Sequence, residues 1–166
     1  METVNGATAV DTFFEPDPTL TATPSLVPLF VGKDPNSGGS VVDVSALVSP
    51  DTSAQAVSGL TATMNANTSA SPGQVQATVG TTVTTLVDFH GVDEVMGSTS
   101  IPTDFQPGTA TDVTFVGQSG PGNILNLAAA PSGTSLNASS GTVTGLSGGG
   151  SDTFSGIQSF VGSSAG

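Results

Sequence analysis

Asp88, His90, Asp93 and Glu94 form the densest group of titratable side chains in this chain, and His90 is its only histidine. If residues 81–89 (Thr-Thr-Val-Thr-Thr-Leu-Val-Asp-Phe) form a strand that runs on to His90, alternation puts Asp88 and His90 on one face. A carboxylate and an imidazole side by side, with Asp93 nearby, suit a bound cation or an acid–base pair. A second candidate is Ser147-Gly148-Gly149-Gly150-Ser151-Asp152-Thr153-Phe154-Ser155. Apart from Ser in the first slot, it fits the calcium-binding nonapeptide in which an Asp carboxylate and Gly-turn carbonyls surround the ion. Asp152 is the ligand that this reading names, and calcium the only cofactor it brings. A polar Gly turn without an ion accounts for the same residues, and solvent-facing variation accounts for the first cluster.

Other chemistry is poorly supplied. Lys33 is the single basic side chain, so a β-helical polysaccharide lyase would lack the Lys or Arg that supports proton abstraction near His90. No nucleophile-elbow motif surrounds any Ser. Lys33 is also the one residue able to form an isopeptide cross-link to Asn or Asp. Asn67-Thr68-Ser69 and Asn137-Ala138-Ser139 are glycosylation sequons. Thr-rich segments would offer an ordered hydroxyl face to carbohydrate or ice if their spacing is regular. No catalytic residue is assigned, and the chain reads as a non-enzyme.

The elements that position these residues are announced by a repeat. Val4-Asn5-Gly6-Ala7-Thr8-Ala9-Val10-Asp11-Thr12-Phe13-Phe14-Glu15-Pro16 aligns without a gap to Val95-Met96-Gly97-Ser98-Thr99-Ser100-Ile101-Pro102-Thr103-Asp104-Phe105-Gln106-Pro107. The same opening starts again at Phe160-Val161-Gly162-Ser163-Ser164. Further landmarks pair Phe30 with Phe115, Val42 with Leu125, Met64 with Leu136 and Phe89 with Phe154. The chain therefore divides into a first copy (1–94), a shorter second copy (95–159) and the beginning of a third (160–166). The added length of the first copy is expected in turn-like, Pro-, Gly- and Ser-rich places such as Ser49-Pro50-Asp51. The second copy has Thr153, Ser155, Gln158 and Ser159 where the first has Asp88, His90, Asp93 and Glu94, which implies that the scaffold itself does not need the titratable set.

Val41-Val42-Asp43-Val44 and Ile124-Leu125-Asn126-Leu127 alternate apolar and polar residues as half-buried strands do. No window holds a 3.6-residue apolar period, and Gly or Pro recurs too often for long helices. The fold class is all-β. A parallel β-solenoid (β-helix) of tandem repeats, with coils of about twenty residues, suits a 65-residue copy of about three coils. Tandem immunoglobulin-like β-sandwiches, at about 100 residues each, are the alternative.

Composition excludes whole classes of partner. With one basic residue and a formal net charge of −12, the chain has no basic patch for nucleic acid or anionic lipid. No stretch approaches the roughly 18 apolar residues of a membrane-spanning helix. Charged residues are only 8 % and mean hydropathy is +0.18, so charge-driven disorder is a poor fit. Met1-Glu2-Thr3-Val4 has neither the basic nor the apolar region of a signal peptide; an export signal is expected outside this sequence.

The signature apolar–polar–polar–apolar–any–Gly–small occurs at Met1–Ala7, Val92–Ser98 and Ile157–Ser163, preceded by Phe-x-Gly in the last two. With Asn123-Ile124-Leu125-Asn126-Leu127 and Thr142-Val143-Thr144-Gly145, it resembles the β-strand repeat arrays of large bacterial surface and secreted proteins, which often neighbour haemolysin-type calcium-binding repeats. That resemblance implies a β-helix, an extracellular or cell-surface location, and a structural or adhesive role. Its partners would be adjacent repeats of the parent protein and cell-surface glycan or protein. A glycan- or calcium-binding β-helix module and, behind it, a carbohydrate-active β-helix enzyme are the other readings. Cut from its array, a solenoid exposes strand edges, so the isolated chain is expected to self-associate.

Overall fold

Val, Thr and Phe gathered in short runs between Gly, Pro, Asn and Ser favour short strands joined by tight turns. The computed structural model describes residues 3–5, 12–14 and 29–31 as backbone, and residues 39–49, 56–109, 112–147 and 149–163 with their side chains. Among the described residues there are fifteen strands and no helix. They are β1 (Thr3–Asn5), β2 (Thr12–Phe14), β3 (Leu29–Val31), β4 (Val41–Asp43), β5 (Val57–Thr63), β6 (Gly73–Val79), β7 (Thr82–His90) and β8 (Glu94–Met96). There follow β9 (Thr103–Gln106), β10 (Thr114–Val116), β11 (Ile124–Asn126), β12 (Ser135–Asn137), β13 (Thr142–Thr144), β14 (Ser151–Ser155) and β15 (Ser159–Val161).

The strands form two mixed sheets. Sheet I has eight strands in the order β1-β3-β7-β6-β5-β9-β11-β15, and sheet II has seven in the order β12-β13-β14-β10-β8-β4-β2. Along the chain the strands alternate between the sheets, except that β5-β6-β7 form an antiparallel meander within sheet I and β12-β13-β14 another within sheet II. All other pairings are parallel.

Alternation between sheets explains the core. Val95, Phe105, Phe115 and Leu125 stand ten residues apart, lie in β8, β9, β10 and β11, and are all 0 % exposed. Each is the inward residue of its strand, so a ten-residue period delivers one apolar side chain to the interior from each sheet in turn. The rings of Phe105 and Phe115 meet across the gap at 5.6 Å between centroids, where the two sheets pack. Gly97 in the repeated signature makes room for this: a Cβ there would lie 2.9 Å from the Phe105 ring.

The ladders also give the register of the repeat. Val4 pairs with Phe30 as Val95 pairs with Phe115, and Val42 pairs with Val95 as Leu125 pairs with Phe160. Phe30 pairs with Phe89 as Phe115 pairs with Phe154. Strands β1–β7 thus correspond one to one with β8–β14, and β8 with β15. Because a copy makes five passes, an odd number, each strand of sheet I corresponds to one of sheet II. Five passes between the sheets per copy compare with the six that about three coils would need.

Three expectations are corrected. The first copy's added length is not confined to turns: β5, β6 and β7 have 7, 7 and 9 residues against 3, 3 and 5 in β12, β13 and β14. A hairpin lengthened by residue pairs keeps its side-chain alternation, so this growth leaves no turn-like mark. Met64 is not the counterpart of Leu136; the meander ladders match Leu136 to Ala62, since Leu136 faces Val143 as Ala62 faces Val75. A two-residue slip returns every side chain to its own face, so the apolar pattern cannot detect it. At β2 the gapless match slips by one, because the residue opposite Val42 is Phe13 and the residue opposite Leu125 is Phe105.

The two ends of the second copy predict unequal mutational costs. Phe105→Ala should destabilise the chain by about 3–5 kcal/mol. Phe160→Ala, at a position 41 % exposed, should cost under about 1 kcal/mol in urea unfolding of the same chain.

Candidate functional site

A strand that leaves one sheet for the other loses its ladder at the corner, and the backbone N–H there needs another acceptor. Side chains from segments distant in sequence supply it. The Asp93 carboxylate accepts the Ser40 N–H at 2.9 Å, and the Gln158 side-chain oxygen accepts the Asn123 N–H at 2.6 Å. These are the same interaction in the two copies, because Ser40 and Asn123 precede the corresponding strands β4 and β11. Asp152 performs this task for Val113, accepting its N–H at 3.0 Å. The first-copy counterparts are Val87 and Pro28, and a proline has no N–H to be accepted. The carboxylate occurs where the donor exists.

Asn123, fully buried, is the most connected of these side chains. Its Oδ1 accepts the Thr103 N–H at 3.0 Å, while its Nδ2 donates to the carbonyls of Gly117 and Gly120. Ser98, the small residue after the signature Gly, donates its hydroxyl to the Leu47 carbonyl at 2.7 Å, and Ser163 does the same to Ala130 at 2.9 Å. The sequence reading overlooked these residues. The signal that points to them is the recurrence of a small or amide residue beside each strand.

The outer face of sheet I carries two parallel rows. Asp88, Gln74, Thr63 and Gln106 lie abreast in one, and Thr85, Gln76, Thr61 and Asp104 in the other. Neighbours in a row are about 4.8 Å apart by strand spacing. Gln74 donates to Asp88 at 2.8 Å, Gln106 to Asp104 at 2.8 Å and Asn126 to Asp104 at 3.2 Å. On sheet II, Thr114, Thr153 and Thr142 form a shorter row, with 2.9 Å between the hydroxyls of the first two. The Thr142 hydroxyl pairs instead with Ser140 at 2.8 Å, so the row has one hydroxyl–hydroxyl contact between strands.

The candidates named from sequence are placed differently from one another. Asp88 and His90 do share the outer face of β7, with Asp88 bound to Gln74. Asp93 lies beyond the strand end at its corner, engaged by Ser40. The inference that the scaffold does not need the first copy's titratable set fails for Asp93: Gln158 replaces it with the same hydrogen-bonding function. Among the described residues no three His, Cys, Asp or Glu gather as a metal site. Asn67 of one sequon is bound at both ends of its amide, to the N–H and the carbonyl of Val92, and Asn137 of the other caps its own turn. Lys33 and Gly148 lie outside the described residues. No family model, curated protein or solved structure matches this chain.

Asp152 is the most perturbed group. It is 1 % exposed, and its Oδ2 is buried without a hydrogen-bond partner. Burial pushes its carboxyl up to about 6, with the Val113 N–H opposing and Asp112 adding to the rise. On sheet II, burial raises Glu94 as well, with Asp43 contributing. Because the folded chain holds the Asp152 proton more tightly than the unfolded one, this group's penalty is absent below about 3.8. It grows as pH rises and is complete above about 6.

Two substitutions check these assignments. The stability gained by Asp152→Asn over the parent should grow by about 2 kcal/mol between pH 4 and pH 7.5 in urea unfolding. An equal gap at both pH values would mean that burial does not raise this carboxyl in the folded chain. Asn123→Ala should cost about 2–4 kcal/mol at either pH by stranding buried backbone groups.

Proposed function

We propose that this chain is a non-enzymatic structural segment of an extracellular repeat array, folded as a parallel β-solenoid. One observation carries the reading: the strands of the two copies correspond one to one, down to the corner bonds Asp93–Ser40 and Gln158–Asn123. A unit that repeats its own interface is one that stacks. Dominant parallel pairing supports the solenoid over immunoglobulin-like sandwiches, whose sheets are antiparallel. The resemblance to bacterial surface β-strand arrays supports a cell-surface or secreted location and a spacer or adhesive role. Its mechanism is mechanical: ladders running along the stack hold the length, and turns project towards surrounding glycan or protein. No helix among the described residues is long and apolar enough to cross a membrane.

Binding of glycan or calcium is the second reading, favoured by the regular polar rows and by the unpartnered oxygens of Asp104 and Asp152. A calcium titration separates it from the structural role. For a purely structural segment the melting temperature should move by less than about 2 °C at micromolar calcium. A large rise sinks that reading, and binding on a glycan array favours the module. Cleavage of an acidic polysaccharide that is lost in His90→Ala overturns the non-enzyme assignment. Light scattering of the isolated chain should show concentration-dependent association, whereas a stable monomer counts towards sandwiches.

A further inference from the structure

Inside the chain, the junction between the copies is sealed. Strand β9 adds to the outer edge of β5 with Ala62 opposite Phe105, and β10 adds to β8 with Val95 opposite Phe115. Leu60 N–H donates to Pro102 at 2.8 Å and Met64 N–H to Gln106 at 3.0 Å across the first seam. The inward residues at this junction, Phe89, Val92 and Val95, are fully buried.

The corresponding edges at the other end of the second copy are β12, the counterpart of β5, and β15, the counterpart of β8. Both terminate their sheets. The counterparts of Phe89, Val92 and Val95 are Phe154, Ile157 and Phe160. The first two are half-buried and the third is 41 % exposed. Phe154 and Phe160 stack edge to face at 5.4 Å beside a groove of about 500 Å³ that these three residues line together with Ser139, Ser140 and Gly141. Among the described residues no charged side chain lines it. A Cβ on Gly162 would touch nothing within 4 Å, whereas one on its counterpart Gly97 meets Thr103 and Phe105 of β9. The end face has the shape of the sealed junction with its second half removed.

We propose that the end face formed by β12 and β15 is the docking surface for a further copy of this chain's own seven-strand unit. That copy's second strand would add to β12 on sheet II and its third to β15 on sheet I. Continuity with the β5–β9 and β8–β10 seams selects this occupant, and the partly exposed Phe154, Ile157 and Phe160 beside the groove fit it. The register follows from the same seams: Ser135, Leu136 and Asn137 take the places of Thr61, Ala62 and Thr63. The arriving strand therefore sets its counterpart of Asp104 opposite Ser135 and its counterpart of Phe105 opposite Leu136. This deepens the repeat-array reading and rests on it.

A disulfide test separates the two, because the chain has no cysteine of its own. Residues 100–159 are appended after Ser164, completing the third copy that Phe160 begins. Cysteines then replace Ser135 and the appended copy's counterpart of Asp104. Thr61→Cys with Asp104→Cys in the 166-residue chain is the control, at a pairing already present. Adjacent strand positions lie within disulfide reach. Both pairs should oxidise within one chain, and the amides of Leu136 and Ala138 should exchange at least about tenfold more slowly in the extended chain than in the 166-residue chain. If the control closes while the Ser135 pair stays reduced, or links only between molecules, the docking proposal is overturned. If the control itself fails to close, the array reading falls with it.

Discussion

Everything in this fold depends on how backbone groups are satisfied where a strand leaves its sheet. Within a strand, neighbours above and below supply the partners; at a corner they diverge, and a buried N–H without an acceptor costs about 1–3 kcal/mol. The chain answers with a side chain from a segment distant in sequence: Asp93 for Ser40, Asp152 for Val113, Gln158 for Asn123, and Asn123 for Thr103. These bonds join segments that flank neighbouring strands, so each segment completes the backbone of another. The acidic and amide residues that invite a catalytic or metal reading are in part the stitching of the scaffold.

That stitching has a cost at one point. At Val113 the acceptor is a carboxylate buried so deeply that its second oxygen has no partner, and its proton is held to about pH 6. Gln158 meets the same need as a neutral amide. The second copy thus solves one problem twice with different chemistry, and its charged solution carries a pH dependence that its neutral one does not.

The odd number of passes per copy has a geometric consequence. The meander of the first copy widens sheet I by two strands, β5 and β6, between β7 and β9, while β8 and β10 remain adjacent in sheet II. In the second copy the extra strands, β12 and β13, fall on sheet II. Each widening adds about 9.6 Å to one side, from two strand spacings of about 4.8 Å. The meander thus widens one sheet in the first copy and the other sheet in the second. The same half-turn puts unlike outer faces on successive copies, so the longer polar rows of Asp88 and Gln74 face one way and the Thr114–Thr153–Thr142 row the other.

What the sequence determined by itself was the class and the repeat. Period-two alternation and the scarcity of helix formers dictate strands, and the matches at Phe30, Val42, Phe89 and Val95 identify true counterparts because bulky inward residues are placed by burial. It also placed Asp88 and His90 on one face correctly, since alternation is local. The tertiary structure decided what alternation cannot encode. A slip of two residues preserves every face, which is why Met64 stood in for Ala62, and paired growth of a hairpin leaves no break in the pattern. The sheet to which a strand belongs depends on counting passes between sheets, a non-local property, so the exchange of sheets between copies was invisible. The roles of Asp93, Asn123 and Asp152 were hidden for the same reason: each is defined by an N–H distant in sequence, 53, 20 and 39 residues away.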